Sequence, residues 1–185
     1  MRIITGSAKG CNLKTPKGMS TRPTSDRVKE SLFSILGSDA CGRVLDIFAG
    51  TGSLGLEALS RGADSCTFID KATTEIIADN AKHTRLADKC QILKGDVFAQ
   101  LRRLETAGQQ FDLVFCDPPY HQGLAHRALE QLENSQLLAP DAIVIMEYGG
   151  DEPELPATTS LQLVKKQQYG KTTQINFYHL PVEEG

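Results

Sequence analysis

The chain has 185 residues, 40% of them hydrophobic, with 20 Lys/Arg against 23 Asp/Glu and a formal net charge of −3, which fits one domain with one continuous core. Its five cysteines (Cys11, Cys41, Cys66, Cys90 and Cys116) are odd in number, widely spaced and free of any C-x-x-C pair, so they suggest neither a disulfide framework nor a zinc cluster. The N-terminus lacks the apolar core of a signal peptide and no run approaches the ~18 apolar residues of a membrane span; a soluble cytoplasmic protein with reduced thiols is expected.

Charge is unevenly placed. Residues 1–36 carry seven Lys/Arg and two acids, net +5, which leaves −8 on the remainder. Within this leader, Arg2–Thr15, with Lys9-Gly10 in its middle, reads as a small basic β-hairpin, followed by a Pro/Gly-punctuated loop. It is either an ordinary solvated leader or a phosphate-contacting surface. Next comes a helix over Thr24–Leu36, in which Val28, Leu32, Ile35 and Leu36 form one apolar stripe; Thr24 or Ser25 can cap it and Asp26 suits its positive end.

From Arg43 onward, short apolar runs alternate with helical patterns, the signature of βαβ units and a parallel sheet. Predicted strands are Val44–Phe48, Ser65–Asp70, Cys90–Lys94, Phe111–Asp117 and Ala142–Glu147; predicted helices are Ser53–Arg61, Thr73–Leu86, Val97–Thr106 and Leu124–Leu132, with Gly62, Gly108 and Pro140 as stops or loops. Leu161–Tyr169 and Thr173–Leu180 are joined by only Gly170-Lys171-Thr172, too short for a parallel crossover, so they form an antiparallel hairpin closing one side of the sheet. The expected fold is α/β, Rossmann-like and doubly wound, with residues 1–23 as basic hairpin and loop and 24–185 as the core of one domain.

The first strand runs into Gly50-Thr51-Gly52-Ser53-Leu54-Gly55, which spells G-x-G-x-x-G where open α/β sheets bind ligands. A lone match is weak. In the dinucleotide version of this turn the glycines approach an anionic pyrophosphate, and Asp46, four residues upstream, is the wrong charge for that. It suits a cationic ligand such as S-adenosylmethionine, which carries a sulfonium and an ammonium group and no phosphate. Asp70, Asp96 and Asp117 end the next three strands, so one acid arrives per βα unit at one sheet edge. Helix capping explains any one of them and all four poorly. Asp70 can accept from two ribose hydroxyls and Asp96 from an adenine amine.

These residues resemble the class I S-adenosylmethionine-dependent methyltransferases and, within them, the bacterial 16S rRNA guanine-966 N2-methyltransferases. The likeness spans nearly the whole chain and is carried by Arg2-Ile3-Ile4-x-Gly6, Thr21–Glu30, Leu45–Leu59, Asp117–Tyr120 and Tyr169-Gly170-Lys171-Thr172 with Phe177-Tyr178. The glycine turn and Asp117-Pro118-Pro119-Tyr120 alone identify only an amino-methyltransferase; the leader and tail narrow it. The resemblance implies a seven-stranded, mostly parallel sheet and S-adenosyl-L-methionine as cofactor, with contacts at Asp46, Phe48, Gly50, Gly52, Asp70, Lys71, Asp96 and Val97. It also implies a partner, 16S rRNA in the 30S subunit, and a monomer that needs no metal and no membrane.

The chemistry of Asp117–Tyr120 follows from the residues. An exocyclic amine on a base is a poor nucleophile because its lone pair is delocalised into the ring. If the Asp117 carboxylate and the Pro118 carbonyl each accept an N–H from it, the nitrogen is held pyramidal with its lone pair aimed at the methyl donor. Pro119 stiffens that carbonyl and removes a competing N–H. Tyr120 can stack on an extruded base, worth about 1–3 kcal/mol. Positioning and electrostatics would carry the rate. His121 is a neighbour of the motif and more simply an exposed loop histidine, and His83, His126 and His179 lack metal-ligand spacing. Arg2, Lys9, Lys14, Lys17, Arg22 and Arg27 are the candidate contacts to rRNA phosphates, and Thr24 or Arg27 could instead line the cofactor pocket. Three other readings stay open: methylation of another RNA or DNA base, a non-enzymatic rRNA-binding assembly factor, and an NAD-dependent oxidoreductase, for whose substrate domain the chain has no length.

Overall fold

Basic leader and alternating core share one frame in the computed structural model, which describes residues 1–17 and 25–184; Arg22 and Thr24 lie outside the described residues. Its elements, in chain order, are α1 (Asp26–Leu36), β1 (Arg43–Ile47), α2 (Ser53–Ser60), β2 (Ser65–Asp70), α3 (Thr74–His83), β3 (Cys90–Lys94), α4 (Val97–Thr106), β4 (Phe111–Cys116), α5 (Leu124–Glu133), β5 (Leu138–Gly149), β6 (Gln162–Tyr169) and β7 (Thr173–His179). The strands form one seven-stranded sheet in the order β3-β2-β1-β4-β5-β7-β6, parallel from β3 to β5. β7 runs antiparallel between β5 and β6. The terminal hairpin is therefore folded back so that its second strand lies inside and β6 forms the edge.

Burial follows from position. β1, β2 and β4 are buried nearly throughout because helices cover both faces of a parallel sheet. The first apolar layer packs Leu32, Phe33 and Leu36 of α1, Leu56 and Leu59 of α2, and Ile77 and Ala81 of α3 on Val44, Phe68, Leu113 and Phe115. The second packs Phe98, Leu101 and Leu104 of α4 and Ala128, Leu129 and Leu132 of α5 on the other face. Edge strand β6 is exposed at most of its positions and carries Lys165 and Lys166, charges of the kind that discourage edge-to-edge pairing.

Three segments depart from expectation. The helix expected over Thr73–Leu86 ends at His83, and the chain turns at Arg85, which has φ 61°. β5 begins at Leu138, not Ala142, and runs through Pro140. The ladder slips there, with Phe111 opposite Leu138 but Leu113 opposite Ile143, so the proline sits in a bulge where no ladder hydrogen bond is required of it. Asp141, within that bulge, has φ 65°. The leader makes its hairpin in outline, with Ile3 N–H donating to Cys11 O, Gly10 N–H to Ile3 O and Leu13 N–H to Met1 O at 2.9 Å each, but only Arg2 and Asn12 form a regular bridge. Several of its backbone groups bond to α2 and α3 instead. No helix among the described residues is long and apolar enough to cross a membrane.

Candidate active site

Register brings the predicted acids to one edge. Ile47 lies opposite both Ile69 and Cys116, and Asp70 opposite Lys94, so Asp96, Asp70, Asp46 and Asp117 follow one another across β3, β2, β1 and β4. Between β1 and β4 the crossovers change faces, the switch point at which open α/β sheets place ligands.

On the β1–β3 half, every acid holds backbone. Asp46 is 2% exposed, and its Oδ2 accepts the Gly55 N–H at 3.0 Å. Burial pushes its carboxyl up to about 8. Gly55 permits this close approach of helix to strand: a Cβ there would sit 2.4 Å from the Phe68 ring. Asp70 is half-buried; its Oδ2 accepts the Gly50 N–H at 2.9 Å, and its Oδ1 accepts from Ala72 at 2.9 Å and Thr73 at 3.1 Å. It thereby ties the glycine turn of β1 to the loop after β2. Asp96 is exposed and caps α4 by accepting the Ala99 N–H at 2.9 Å, so the capping role and the edge position coexist. Phe48 is half-buried with φ 55° and meets Phe98 edge to face at 6.0 Å between ring centroids. Gly50 is half-buried, Gly52 is the N-cap of α2 with φ 80°, Lys71 is exposed, and Val97 is buried as the first residue of α4. A carboxylate has about four acceptor sites; Asp70 and Asp96 therefore retain capacity for a ligand's hydroxyls or amine.

On the β4–β5 half, Asp117 is half-buried, Pro118 is buried and Pro119 is exposed. The Tyr120 hydroxyl donates to Glu147 Oε1 at 2.9 Å and lies 3.3 Å from Thr173 Oγ1. Burial, with the Glu147 charge second, holds that phenol far above its ordinary range, so it stays a donor. His121 is exposed with φ 64°; its N–H donates to Glu152 Oε1 at 2.9 Å and its Nε2 is 3.4 Å from Asp151 Oδ1. A cleft of about 380 Å³ adjoins this loop, walled by His126, Tyr148, Asp151, Glu152 and Leu155. Among the described residues, no group of three His, Cys, Asp or Glu side chains is placed to hold a metal ion.

The leader's cations divide. Lys9, Lys17 and Arg27 are exposed; Arg2 and Lys14 are exposed too, within 3.6 Å of Asp26 and 3.3 Å of Asp79. Lys29 is wholly buried, with Nζ donating to Arg2 O at 2.5 Å and to Ser53 Oγ at 3.1 Å, 3.4 Å from Glu57 Oε1. Desolvation pulls its ammonium below the ordinary lysine range, and Glu57 opposes that pull. The side chains of Lys29, Glu57, Asn80, Glu147 and Thr173 are given no functional or structural role by the sequence reading. Two of them had a signal: a lone carboxylate in the apolar runs Leu54–Leu59 and Ala142–Met146 extended to Glu147 implies a buried partner.

The chain's relatives agree with this architecture. Residues 1–179 match the family described as "Conserved hypothetical protein 95". Ribosomal RNA small subunit methyltransferase D of Haemophilus influenzae is 38% identical over 188 residues, 97% of this chain and 92% of that one. Its Escherichia coli K12 namesake is 36% identical over 172 residues, 89% and 84%. A hypothetical protein of Thermus, known from a solved structure, superposes with a TM-score of 0.83 at 28% identity, over 98% of this chain and 99% of that one. An RNA methyltransferase of Salinibacter ruber, solved with S-adenosyl-L-homocysteine, shares the fold at 16% identity and a TM-score of 0.63, over 89% and 97% of the chains. With that coverage and identity, the chain belongs to the family of the ribosomal RNA small subunit methyltransferases D.

Proposed function

We propose that the protein transfers a methyl group from S-adenosyl-L-methionine to the exocyclic N2 amine of a single guanine in 16S rRNA, in the cytoplasm, acting on the 30S subunit. The observation that carries the reading is the position of Asp117-Pro118-Pro119-Tyr120 at the end of β4, next to the glycine turn of β1 and the acids of β2 and β3, in a chain whose relatives bear the name of small-subunit rRNA methyltransferases.

The site fits that cofactor in its donor set. The Asp70 and Asp96 carboxylates, with acceptor sites to spare, favour a cationic, hydroxyl-bearing ligand over a pyrophosphate. Asp70 would hold the ribose hydroxyls and Asp96 the adenine amine; Phe48, Gly50, Gly52, Lys71 and Val97 would line the same edge, and Asp46, buried with its carboxyl raised to about 8, would hold the start of α2 through Gly55 rather than supply the negative charge the sequence suggested. The bound cofactor supplies an electrophilic methyl group. The chain's own work is orientation: Asp117 and the Pro118 carbonyl accept the two N–H groups of the guanine amine and align its lone pair, and Tyr120 stacks on the base. Arg2, Lys9, Lys14, Lys17, Arg22 and Arg27 would contact RNA phosphates, an electrostatic term that weakens with salt.

The test is to incubate the protein with S-adenosyl-L-methionine and 30S subunits from cells lacking the modification, digest the RNA and identify the product by mass spectrometry. N2-methylguanosine, lost in Asp117→Ala, is expected. A different methylated base would keep the mechanism and overturn the substrate; RNA binding without methylation would overturn the enzyme reading.

A further inference from the structure

Two buried side chains outside the catalytic edge join the leader to the cofactor turn from opposite sides. Asn80 of α3 is 1% exposed, and its amide is shared between two distant loops. Its Oδ1 accepts the Lys14 N–H at 2.7 Å; its Nδ2 donates to Lys14 O at 3.1 Å and to Thr51 O at 2.9 Å. Thr51 is the middle residue of Gly50-Thr51-Gly52. On the other side, Lys29 links Arg2 O to Ser53 Oγ, the first side chain after the same turn.

Between these ties the leader lies along α2. Glu57 accepts the Ile4 N–H at 2.8 Å and the Thr5 N–H at 3.1 Å, and Ser60 Oγ accepts the Ala8 N–H at 2.9 Å while donating to Thr5 O at 2.7 Å. Approach at Gly6 is so close that a Cβ would fall 1.8 Å from Ser60 O. A leader bonded on both flanks of the turn cannot shift without moving it.

We propose that Asn80 and Lys29 are positioning residues that couple rRNA binding at the leader to cofactor binding at the glycine turn, a coupling that rests on the reading of the leader as an RNA contact surface. RNA held at the leader restrains Thr51 and Ser53 further through these two side chains, so the cofactor then binds a turn with less freedom left to lose. Linkage makes the effect reciprocal: whatever factor RNA adds to cofactor affinity, the cofactor adds to RNA affinity.

Equilibrium dialysis of S-adenosylhomocysteine, with and without saturating 30S subunits lacking the modification, measures the coupling directly. Wild type should bind S-adenosylhomocysteine about fivefold or more tightly when the subunit is present, at the lower end of ordinary coupling. In Asn80→Asp, which keeps the shape and loses both donors, and in Lys29→Met the ratio should fall to about one, with affinity for the subunit alone unchanged within about twofold. Glu57 keeps Arg61, 3.0 Å away, as a partner in Lys29→Met, so that variant can decide the matter if Asn80→Asp does not fold. A ratio of one in a wild type that binds both ligands and methylates overturns the coupling alone. Retention of the wild-type ratio in the variants overturns it as well, and so does equal weakening of both ligands, which marks a merely structural role. Failure of the wild type to bind the subunit at all overturns the functional reading and the coupling with it.

Discussion

On the β1–β3 half of the site, carboxylates are bonded to backbone: Asp46 to Gly55, Asp70 to Gly50, Ala72 and Thr73, and Asp96 to Ala99. On the β4–β5 half, the loop of Asp117–Tyr120 is braced by side chains, with the Tyr120 hydroxyl on Glu147 of β5 and beside Thr173 of β7. The half proposed to take the cofactor is thus braced within consecutive βα units by its own acids. The half proposed to take the substrate depends on strands made much later in the chain. Changes on the first half should strike cofactor affinity and folding together, whereas changes on the second should strike turnover alone.

The strongest test of that division is Asp70→Ala. It strips three N–H groups of their acceptor at once; Ala72 can turn to water, whereas the partly buried donors of Gly50 and Thr73 cost about 1–3 kcal/mol each at most. S-adenosylhomocysteine affinity, by calorimetry, should fall more than about tenfold while the melting temperature also drops. Tyr120→Phe should do the opposite. It removes the donor to Glu147, and we expect kcat for 30S methylation to fall by about tenfold, with S-adenosylhomocysteine affinity within about twofold of wild type. If Tyr120→Phe weakens the cofactor as much as it slows turnover, the two halves are not separable.

A subtler test uses pH. The Asp46 carboxyl is raised by burial to about 8 in the folded protein, so the folded state holds its proton where the unfolded chain, near 3.9, has lost it. Stability contributed by the protonated group is complete below the unfolded value and is lost as pH rises through about 8. Asp46→Asn removes that dependence. Its melting temperature relative to wild type should therefore rise between pH 5 and pH 9, by several degrees if the full shift applies, with each kcal/mol worth about 2–4 °C in a chain of this size. A difference that stays flat across this range would show that Asp46 ionises freely.

The smallest effect is expected at the far edge of the sheet. Asp112 accepts from the Arg43 N–H at 2.8 Å and Nε at 3.0 Å, and the Arg43 hydrogen bond pulls its carboxyl below the ordinary range. This contribution is present above the unfolded value and lost as pH falls through the folded one. Both groups are partly exposed, so Asp112→Asn should cost about 1 kcal/mol or less by denaturant titration and leave methylation unchanged. Loss of activity there would mean that the two sheet edges communicate.

Much of this arrangement was legible because it is local. Strands over Ser65–Asp70 and Cys90–Lys94 and the helix over Val97–Thr106 fall where the apolar pattern puts them, since period and turn residues agree within each βα unit. Ser25, one of two possible caps, is the residue whose side chain accepts from Val28. The start of β5 was hidden by Pro140, because a bulge that excuses a proline depends on the neighbouring strand and leaves no mark nearby in sequence. The acids were legible as positions but not as partners: nothing near Asp70 announces that it bonds Gly50, twenty residues earlier. Lys29 was the least readable. By composition it is one more leader cation, and only the packing of α1 on α2 turns it into a wholly buried one.

The placement of β7 has a consequence for synthesis. β6 pairs with β7 alone, while β7 also pairs with β5. As the polypeptide leaves the ribosome, β6 emerges before the strand it pairs with and stays unpaired until β7 follows. It reaches the rest of the sheet only through β7, the strand that comes after it in sequence. Stalling or cleavage within Thr173–His179 would strip Tyr120 of Thr173 and leave Leu163, Val164 and their neighbours as an orphaned sticky segment, the kind of nascent species that chaperones hold and proteases remove.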